Sequence, residues 1–533
     1  MTLRSSHLLF LWVTTTALWG VVYTVVDDVA VDAVINAGLK CHQTPGLAVA
    51  VVKDGNVVMS RGFGFGDVSA KTPVTNTTMF QIASLSKAFT TALLSKVLHD
   101  QSSFTINTNV YKILGRYKFN NTLRSVYATV EDLMAHRMGI PRNNYLRLDD
   151  TLTRDNLLSR VKYLPSVGGF RDSFYYSDLM YGLLTHITEF LTKKAWEDSM
   201  TDIIFKPLHM DSTTFGTRVD YSAPNMATPY SEQSSKLVVP SSQFIRHWAK
   251  LGGSGSVVST ADDMAKWMLF HLSGGKNREG NQVVAEDLLK ETYKPRNAIS
   301  GGSINTYFSR PKTPVTMSNN GYGLGWKSGY YRGIPMVQHS GSTFGYRSFL
   351  TLLPDKNLGV FVTMTGYDPD YWFRGSLSAY LMDVYLGEAP WINTSTICSF
   401  PDPWRTSSTR RRSRPRKGSG RRLTRRRRAT SHTANLALQA YSGTFRNEAY
   451  GNIIIHYDSA SHELKATYGI ASWVLASRGG DTFRATWDKP APILNFNFVF
   501  KTSSGHAYAL IPSFEHSSPP VFYRTGGSDP IIG

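Results

Sequence analysis

The chain has 533 residues, a formal net charge of +19, and 41% hydrophobic and 12% aromatic residues. This length exceeds what one ordinary hydrophobic core supports, and the composition is that of a globular protein, so we expect two or more folded domains. Residues 401–430 hold 13 Lys and Arg against one acid, and the rest of the chain carries only +7, which argues against a nucleic-acid-binding face spread over the fold.

The first 24 residues have the pattern of a secretory signal peptide. Arg4 and His7 precede the apolar run LLFLWVTTTALWGVV, which has small residues near its end. This run is shorter than the about 20 residues that a membrane-spanning helix needs, and no other stretch is long and apolar enough. We predict cleavage near residues 20–24 and a secreted, extracellular protein without an integral membrane span; the alternative is an uncleaved anchor.

Residues 25–400 have strands at both ends and helices between them. An amphipathic helix is predicted over 26–39, and two β-rich runs flank Asp54-Gly55, a two-residue hairpin signal. SLSKAFTTALLSKVLHD has helical spacing, and the helices at TVEDLMAHR and TADDMAKWMLFHL each open with a capping Thr. Strands return in IPMVQHSG, YRSFLTLL and LGVFVTM, before a helix near FRGSLSAYLMDVYLG. Distant strands must then pair in one mostly antiparallel sheet, with the first and last helices on one face.

The last third of the sequence contains a basic segment and a second β-rich region. Residues 401–434 are rich in Arg, Ser, Pro and Thr, which predicts a disordered linker, and RRLTRRRR resembles a site for a processing protease. The run from Arg410 to Arg428 is either a solvated linker or a surface that binds an anionic extracellular partner. Residues 435–533 contain short β runs that predict a small antiparallel barrel or sandwich.

The cysteines and glycosylation motifs agree with a secretory route. Cys41 and Cys398 are the two cysteines, and such a pair in a secreted chain often forms a disulfide; the alternative is two unpaired thiols. Sequons at Asn76, Asn120 and Asn393 predict glycosylation.

Three separate stretches carry the residues suited to catalysis. Ser84 and Lys87 share one face of a predicted helix start, where an amine that loses its proton can activate a hydroxyl and free N–H groups can stabilise an oxyanion. YSD at 176–178 begins another helix, and HSGS at 339–342 ends a strand. Taken singly, each has a structural alternative, as a helix cap, a core aromatic or a strand-end histidine.

In order and spacing these stretches resemble the serine β-lactamase and penicillin-binding protein superfamily, most of all its class C branch with the related esterases and D-aminopeptidases. ATVEDLMAHRMGIPR, PLHMDSTTFG, GSGSVVSTADDMAKWM and GYGLGW resemble family landmarks in the same order, so the resemblance covers about residues 26–386. It implies an α+β fold of the β-lactamase/transpeptidase type, an antiparallel sheet flanked by helices. The tail YSGTFRNEAYGN resembles the small all-β domain of some members.

The resemblance also implies a role for each site residue. Ser84 would be the acylated nucleophile and Lys87 would help to deprotonate it. Tyr176 would pass the proton to the leaving group and later activate water. Gly341 would let the strand edge approach the substrate, and the N–H groups of Ser84 and Ser342 would form the oxyanion hole.

Two positions depart from the family pattern. Asp178 stands where the family usually has Asn; an ionised carboxylate cannot donate to a substrate amide, and beside Lys87 it should favour the ammonium form and shift the base role toward Tyr176. His339 stands where many lactamases have Lys, which removes a fixed positive charge for a substrate carboxylate, although His is common in esterase-like relatives. Both departures weaken the case for lactam hydrolysis and leave two alternatives, hydrolysis of an ester or small amide and an inactive scaffold.

Other chemistries have no support in the sequence. There is no His-x-His-x-Asp or His-Glu-x-x-His zinc pattern, no Cys-x-x-Cys, no phosphate-binding P-loop and no Gly-x-Ser-x-Gly elbow. The glycines of RGFGFGD precede no helix, so we expect them in a strand-end turn rather than a dinucleotide loop. We predict no metal, no other cofactor and no nucleic-acid partner.

These observations predict a secreted serine hydrolase that acts on a small-molecule or peptide ester or amide through an acyl-enzyme on Ser84. The alternative belongs to another class: a noncatalytic extracellular or matrix protein that reuses this fold. Secreted animal proteins that the chain resembles, some of them in mollusc shell matrix, make that alternative concrete.

Overall fold

The computed structural model describes residues 26–100, 103–115, 118–233, 236–299, 314–404, 433–488 and 494–526. The helices within these residues are α1 (Asp28–Cys41), α2 (Ser86–Asp100), α3 (Val110–Leu114), α4 (Thr122–Tyr127), α5 (Val130–Met134), α6 (Arg154–Arg160), α7 (Asp178–Thr192), α8 (Trp196–Met200), α9 (Ser242–Trp248), α10 (Ala261–Leu272), α11 (Glu286–Tyr293), α12 (Trp372–Leu386) and α13 (Thr396–Ser399). Short 3-10 turns, among them Ala83–Leu85 and Asn144–Leu148, connect several of these elements.

The strands divide into two groups along the chain. The first group is β1 (Gly46–Lys53), β2 (Asn56–Asp67), β3 (Thr72–Pro73), β4 (Phe80–Gln81), β5 (Thr214–Phe215), β6 (Ser231–Gln233), β7 (Lys236–Val238), β8 (Val257–Ser259), β9 (Asn297–Ala298), β10 (Met317–Tyr322), β11 (Lys327–Tyr331), β12 (Ile334–Ser342), β13 (Tyr346–Leu353) and β14 (Leu358–Thr365). The second group is β15 (Gly443–Asn447), β16 (Gly451–Asp458), β17 (Glu463–Tyr468), β18 (Ala471–Gly479), β19 (Thr482–Trp487), β20 (Phe496–Ser503), β21 (His506–Pro512) and β22 (Phe522–Arg524).

Nine strands of the first group form one antiparallel sheet, in the order β3-β2-β1-β14-β13-β12-β11-β10-β9. Strands from the start and the end of the region therefore lie side by side, as in the pairing of Leu47 with Met364. The predicted α+β fold, with sequence-distant strands in one antiparallel sheet, is confirmed.

The centre of the sheet is buried on both faces, as strand β1 shows. Along β1, Leu47 and Val49 pack with α1 and α12, whereas Ala48 and Ala50 point to the opposite face and pack with α2 and α10. Because side chains alternate along a strand, one apolar run serves two helical layers. The prediction that the first and last helices share a face is confirmed.

The turn after β1 and the glycines in β2 give one correct and one wrong prediction. Asp54 and Gly55 both have positive φ, 49° and 79°, as a tight two-residue hairpin requires. The glycines of RGFGFGD do not lie in a strand-end turn but inside the twelve-residue strand β2. A Cβ on Gly62 would strike the backbone of Val74, which explains why a residue without a side chain occupies that position.

A disulfide joins Cys41, at the end of α1, to Cys398 in α13, with the two Cα atoms 5.7 Å apart. The prediction of this pairing is confirmed. The covalent link fastens the two ends of the sheet-and-helix region to each other across 357 residues of sequence.

The second group of strands closes into an eight-stranded antiparallel barrel, in which β15 pairs with β22. Alternate residues point inward, and the aromatic side chains of β20 fill much of the interior. A barrel rather than a sandwich is therefore correct. The barrel and the helical region of the first domain share one continuous apolar core.

The proposed signal peptide and nearly all of the Arg-rich segment lie outside the described residues. Arg410 and Arg428 are among them, so an anionic partner stays a prediction. No helix within the described ranges is long and apolar enough to cross a membrane.

Candidate active site

Ser84 lies on the short turn Ala83–Leu85, between β4 and α2. Ala83 has φ of 49°, a left-handed conformation that is unfavourable for a residue with a Cβ atom. The hydroxyl of Ser86 holds the turn, because it donates to the Ala83 carbonyl at 2.7 Å and accepts from the Val257 N–H at 2.9 Å. Ser84 is thereby presented half-buried at the positive end of a 15-residue helix.

The amine of Lys87 lies beside Ser84, and its side chain is fully buried. It donates to Ser84 Oγ at 3.2 Å, to Asp178 Oδ1 at 2.6 Å and to the Ser254 carbonyl at 2.7 Å. Burial lowers the pKa of Lys87 to about 8, because the loss of hydration outweighs the opposing attraction of Asp178. About a tenth of the amine is then neutral at pH 7 and able to take a proton.

Asp178 therefore acts on Lys87 in the expected direction without deciding the outcome. Asp178 favours the ammonium form, as expected, but burial is the larger effect and lowers the net pKa of Lys87 to about 8. A second buried cation, Arg147, lies 3.3 Å from the other carboxylate oxygen of Asp178. Burial alone would raise the pKa of Asp178, but Lys87 and Arg147 outweigh it and keep that pKa well below its usual range.

Tyr176 closes the site over the lysine. Its ring centre lies 4.7 Å from Lys87 Nζ, and its hydroxyl interacts with the Ser84 side chain. Burial, and after it the charge of Asp178, raises the pKa of Tyr176 well above the ordinary value. The phenol is thus a proton donor at neutral pH, and the expectation that Tyr176 carries more of the base role is not supported by its surroundings.

His339 is buried in β12 with both ring nitrogens engaged. Nδ1 lies 2.8 Å from the Ser340 carbonyl, which assigns the proton to Nδ1, and Nε2 accepts from the Tyr322 hydroxyl at 3.1 Å. Burial and the nearby Lys327 lower the pKa of His339 well below 6.5, so the ring is neutral. It shapes the pocket wall without offering a positive charge to a substrate.

Gly341 and Ser342 bring β12 against the turn that carries Ser84. A Cβ on Gly341 would strike the carbonyl of Ile82 and the side chain of Ser348, so the missing side chain permits contact between strand and turn, and a role in substrate access stays a prediction. Arg374 donates to the Gly341 carbonyl and to Ser342 Oγ, each at 2.9 Å. Ser342 lines the same pocket as Ser84; its part in an oxyanion hole stays a prediction.

Ser84 opens into a cavity of about 610 Å³. The residues that line it are Ser84, Arg142, Asn144, Phe174, Tyr176, Asp178, Ser231, Trp248, Lys327, His339, Ser340, Ser342, Thr343, Phe344, Arg347, Tyr367, Asp368, Asp370, Tyr371 and Arg374. A cavity of this volume accommodates a small-molecule substrate. The predicted nucleophile, tyrosine, histidine and aspartate thus meet in one cavity, with Lys87 behind them.

Several basic groups in this cavity have no acidic partner. Arg374 is paired with Asp368 at 3.3 Å, but within the described part of the chain no carboxylate lies within ion-pair distance of Arg142, Lys327 or Arg347. Burial lowers the pKa of Lys327, and it lowers that of Arg347 to about 10. The cavity wall away from Asp178 is therefore an electropositive surface.

The sequence analysis did not identify the basic residues of this cavity, or Tyr371 beside them, as site residues. Lys327 directly follows the GYGLGW landmark, and its amine lies 5.7 Å from the ring centre of Tyr371. The landmark itself packs on helix α2, because Thr91 donates to the Leu324 carbonyl at 2.9 Å. Proximity to GYGLGW was the one available signal for Lys327. Arg147, which is 31 positions from Asp178, had no such signal.

The other predicted site residues lie away from this cavity. Asn120 and Asn393 are exposed, whereas the Asn76 side-chain amide donates to Asp262 at 2.7 Å. Glycosylation at all three stays a prediction. Among the described residues no group of three or more His, Cys, Asp or Glu side chains is placed to hold a metal ion, and no cofactor is assigned here.

Known protein families, sequences and structures that resemble this chain were identified by comparison. The family model described as Beta-lactamase matches residues 31–375. Gigasin-6 of Magallana gigas is 35% identical over 237 residues, which are 44% of this chain and 78% of that protein. Unguisins hydrolase ungD of Aspergillus violaceofuscus is 24% identical over 488 residues, 84% of this chain and 81% of that protein. The octameric penicillin-binding protein homologue of Pyrococcus abyssi superposes with a TM-score of 0.58 at 19% identity, covering 93% of this chain and all of that one, which supports the fold alone.

Proposed function

Since this chain belongs to the beta-lactamase family, we propose that it is a serine hydrolase that cleaves a small ester or amide through an acyl-enzyme on Ser84. One observation carries the proposal: a fully buried lysine amine, with its pKa lowered to about 8, lies 3.2 Å from the Ser84 hydroxyl. A buried ionisable group that is costly to keep charged and faces a hydroxyl is the arrangement that nucleophile activation requires.

Acylation starts with the transfer of the Ser84 proton to the neutral amine of Lys87 while Ser84 Oγ forms a bond to the substrate carbonyl carbon. The Tyr176 phenol then gives its proton to the leaving group as the bond to that group breaks. Lys87 returns the proton to Tyr176, which leaves both residues as they began. The acyl group remains on Ser84 as an ester.

Deacylation repeats the sequence with water as the nucleophile. Water loses a proton to Lys87 through Tyr176, its oxygen bonds to the acyl carbon, and Ser84 regains a proton as its ester bond breaks. The products are a carboxylic acid and the free enzyme. The backbone N–H groups of Ser84 and Ser342 are the proposed donors to the oxyanion in both halves.

The pH dependence of hydrolysis follows from Lys87. The neutral amine is the active form, so kcat/KM should rise about tenfold per pH unit below pH 8 and level off above it. Because the pKa of Tyr176 is raised well above 10, no decline is expected between pH 8 and pH 9.5. Steady-state hydrolysis of a nitrophenyl ester between about pH 6 and 9.5, corrected for spontaneous cleavage, measures this profile. A flat profile, or a midpoint near the ordinary lysine value, contradicts the proposal.

The electropositive wall supports a narrower substrate class: esters or amides whose acyl group carries a negative charge. Arg142, Lys327 and Arg347 face the cavity without acidic partners, and an anionic group would supply one. Arg142 is exposed, but Lys327 and Arg347 are half-buried and have lost part of their hydration, so an anion that pairs with them gains affinity there.

Replacement of Lys327 with methionine tests this substrate class. Two nitrophenyl esters are compared, one with a succinyl and one with a butyryl acyl group, and the ratio of their kcat/KM values should fall about tenfold in Lys327→Met, which is the value of one charge-assisted hydrogen bond. Lys327→Arg keeps the charge and should keep most of the ratio. An unchanged ratio in Lys327→Met would reject the role of this lysine.

We also propose that the protein is secreted. The N-terminal signal pattern supports this, and so does the Cys41–Cys398 disulfide, since such bonds persist mainly in oxidising compartments. A noncatalytic matrix role would depend on the Arg-rich segment. Deletion of residues 405–428 would then abolish retention on anionic supports, and no described contact favours that role over hydrolysis.

A further inference from the structure

The acidic residue beside the catalytic lysine has a second cation on its other side. Asp178 Oδ1 accepts from Lys87 at 2.6 Å, and Asp178 Oδ2 lies 3.3 Å from Arg147 Nη2. Arg147 is buried, with 4% of its surface exposed. The guanidinium also donates to Ser254 Oγ and to the Trp248 carbonyl, each at 3.2 Å.

The contact of Asp178 with both Lys87 and Arg147 bears on how easily Lys87 loses its proton. If Asp178 had Lys87 as its one cation, removing the lysine proton would leave a lone carboxylate in a buried site, which is costly, and the amine would stay charged. An arginine side chain does not lose its proton in proteins, so Arg147 remains a partner for Asp178 whether Lys87 is charged or neutral. Arg147 also repels the ammonium form of Lys87.

Residues of the C-terminal barrel hold the segment that carries Arg147. Tyr450 donates through its hydroxyl to Asn143 Oδ1 at 2.8 Å, and Glu515 Oε2 accepts from the Asn143 N–H at 3.1 Å. At the other end of the segment, the Ile470 N–H donates to the Leu148 carbonyl at 3.0 Å.

Aromatic packing fixes the middle of the same segment. The ring of Tyr145 stands against Phe496 of the barrel at 4.7 Å and against Phe514 at 5.8 Å. The barrel thus contacts residues on both sides of Arg147.

We infer that Arg147 is a positioning residue that lets Lys87 lose its proton beside Asp178, and that the C-terminal barrel keeps Arg147 in that position. The inference rests on the proposed function, because a neutral Lys87 is needed to take the proton of Ser84 in the proposed hydrolysis. Its physical content, the protonation of Lys87, is measurable without any substrate.

The test is an NMR titration of the Lys87 side chain in the full-length protein, labelled with ¹³C at lysine Cε and assigned by the signal missing from Lys87→Met. In Arg147→Met the titration midpoint should rise by about one pH unit or more. In Asp178→Asn it should fall, because the carboxylate that stabilises the ammonium form of Lys87 is removed while Arg147 and Arg142 still repel that form. In Arg147→Lys it should stay near the native value.

The opposite shifts keep the test decisive if one variant does not fold. An Asp178→Asn midpoint equal to or above the native midpoint overturns the inference, and so does an unshifted Arg147→Met midpoint. The proposed function would fail in a different way. The native protein would then show no Ser84-dependent ester hydrolysis, although the Lys87 titration midpoint shifts in the variants as described.

A separate variant tests whether the barrel positions Arg147. Tyr450→Phe combined with Glu515→Gln weakens the contacts to Asn143 while keeping the side-chain volumes, and it should move the Lys87 midpoint upward, by less than Arg147→Met does. Tyr523→Phe, at an exposed position of the same barrel, is the matched control. If Lys87 has the same titration midpoint in the double variant as in this control, the barrel does not position Arg147.

Discussion

Ser84→Ala is expected to lower kcat for ester hydrolysis by at least about a thousandfold and to abolish labelling by a fluorophosphonate probe. The physical reason is that the substitution removes the one oxygen that the proposal allows to bond to the substrate carbonyl. Lys87, Tyr176 and the backbone donors stay in place, so residual hydrolysis reports transition-state stabilisation without a covalent intermediate. Probe labelling read on a gel and nitrophenyl ester kinetics give two independent measurements.

Folding is not expected to confound this result. Ser84 is half-buried, and its hydroxyl contacts only the polar tips of Lys87, at 3.2 Å, and Tyr176 among the described side chains, so the melting temperature should change little. Ser95→Ala, about three turns further along the chain, in α2 and buried, is the matched control and should be labelled like the native protein. Equal labelling of native protein and Ser84→Ala would reject the nucleophile.

Lys87→Met is expected to lower kcat/KM by about a hundredfold to ten-thousandfold at pH 8. Methionine matches the length of the lysine stem but accepts no proton, so Ser84 loses its base. The limb of the pH profile that belongs to the amine should disappear as well. The same nitrophenyl ester kinetics, measured from about pH 6 to 9.5, provide both results.

The effect of Lys87→Met on activity must be distinguished from its effect on stability, because the substitution removes the amine that lies 2.6 Å from Asp178. Lys87→Met combined with Asp178→Asn also removes the carboxylate that lost this contact, and it should not recover activity, whatever its melting temperature. Activity restored in this double variant would mean that Lys87 serves the fold and not the chemistry.

Patterns local in sequence predicted the parts of the fold that local physics determines. Asp54-Gly55 needed positive φ at two adjacent residues, and the structure has it there. Strand β13, Tyr346–Leu353, coincides with its predicted run because a mostly apolar stretch, buried at nearly every residue, ends at the turn that begins with Pro354. The Ser84 and Lys87 pair was identifiable because three-residue spacing on a helix puts two side chains on one face.

What sequence could not provide is the balance between burial and charge. Asp178 was visible beside Lys87, but the pKa of the lysine depends on how completely water is excluded, and exclusion is produced by groups from several distant segments. Arg147 and Lys327 were missed for the same reason, since each meets its partners through tertiary packing. The neutral state of His339 likewise follows from burial and from Lys327, which lies on strand β11, a strand that sequence patterns did not predict.

Intact-mass spectrometry of protein quenched during ester turnover, followed by peptide mapping, tests the acyl-enzyme directly. The account predicts a mass increase equal to one acyl group, located on the peptide that contains Ser84 and lost as the ester is consumed. Ester consumed with no adduct on that peptide, or with an adduct that Ser84→Ala also forms, would contradict it.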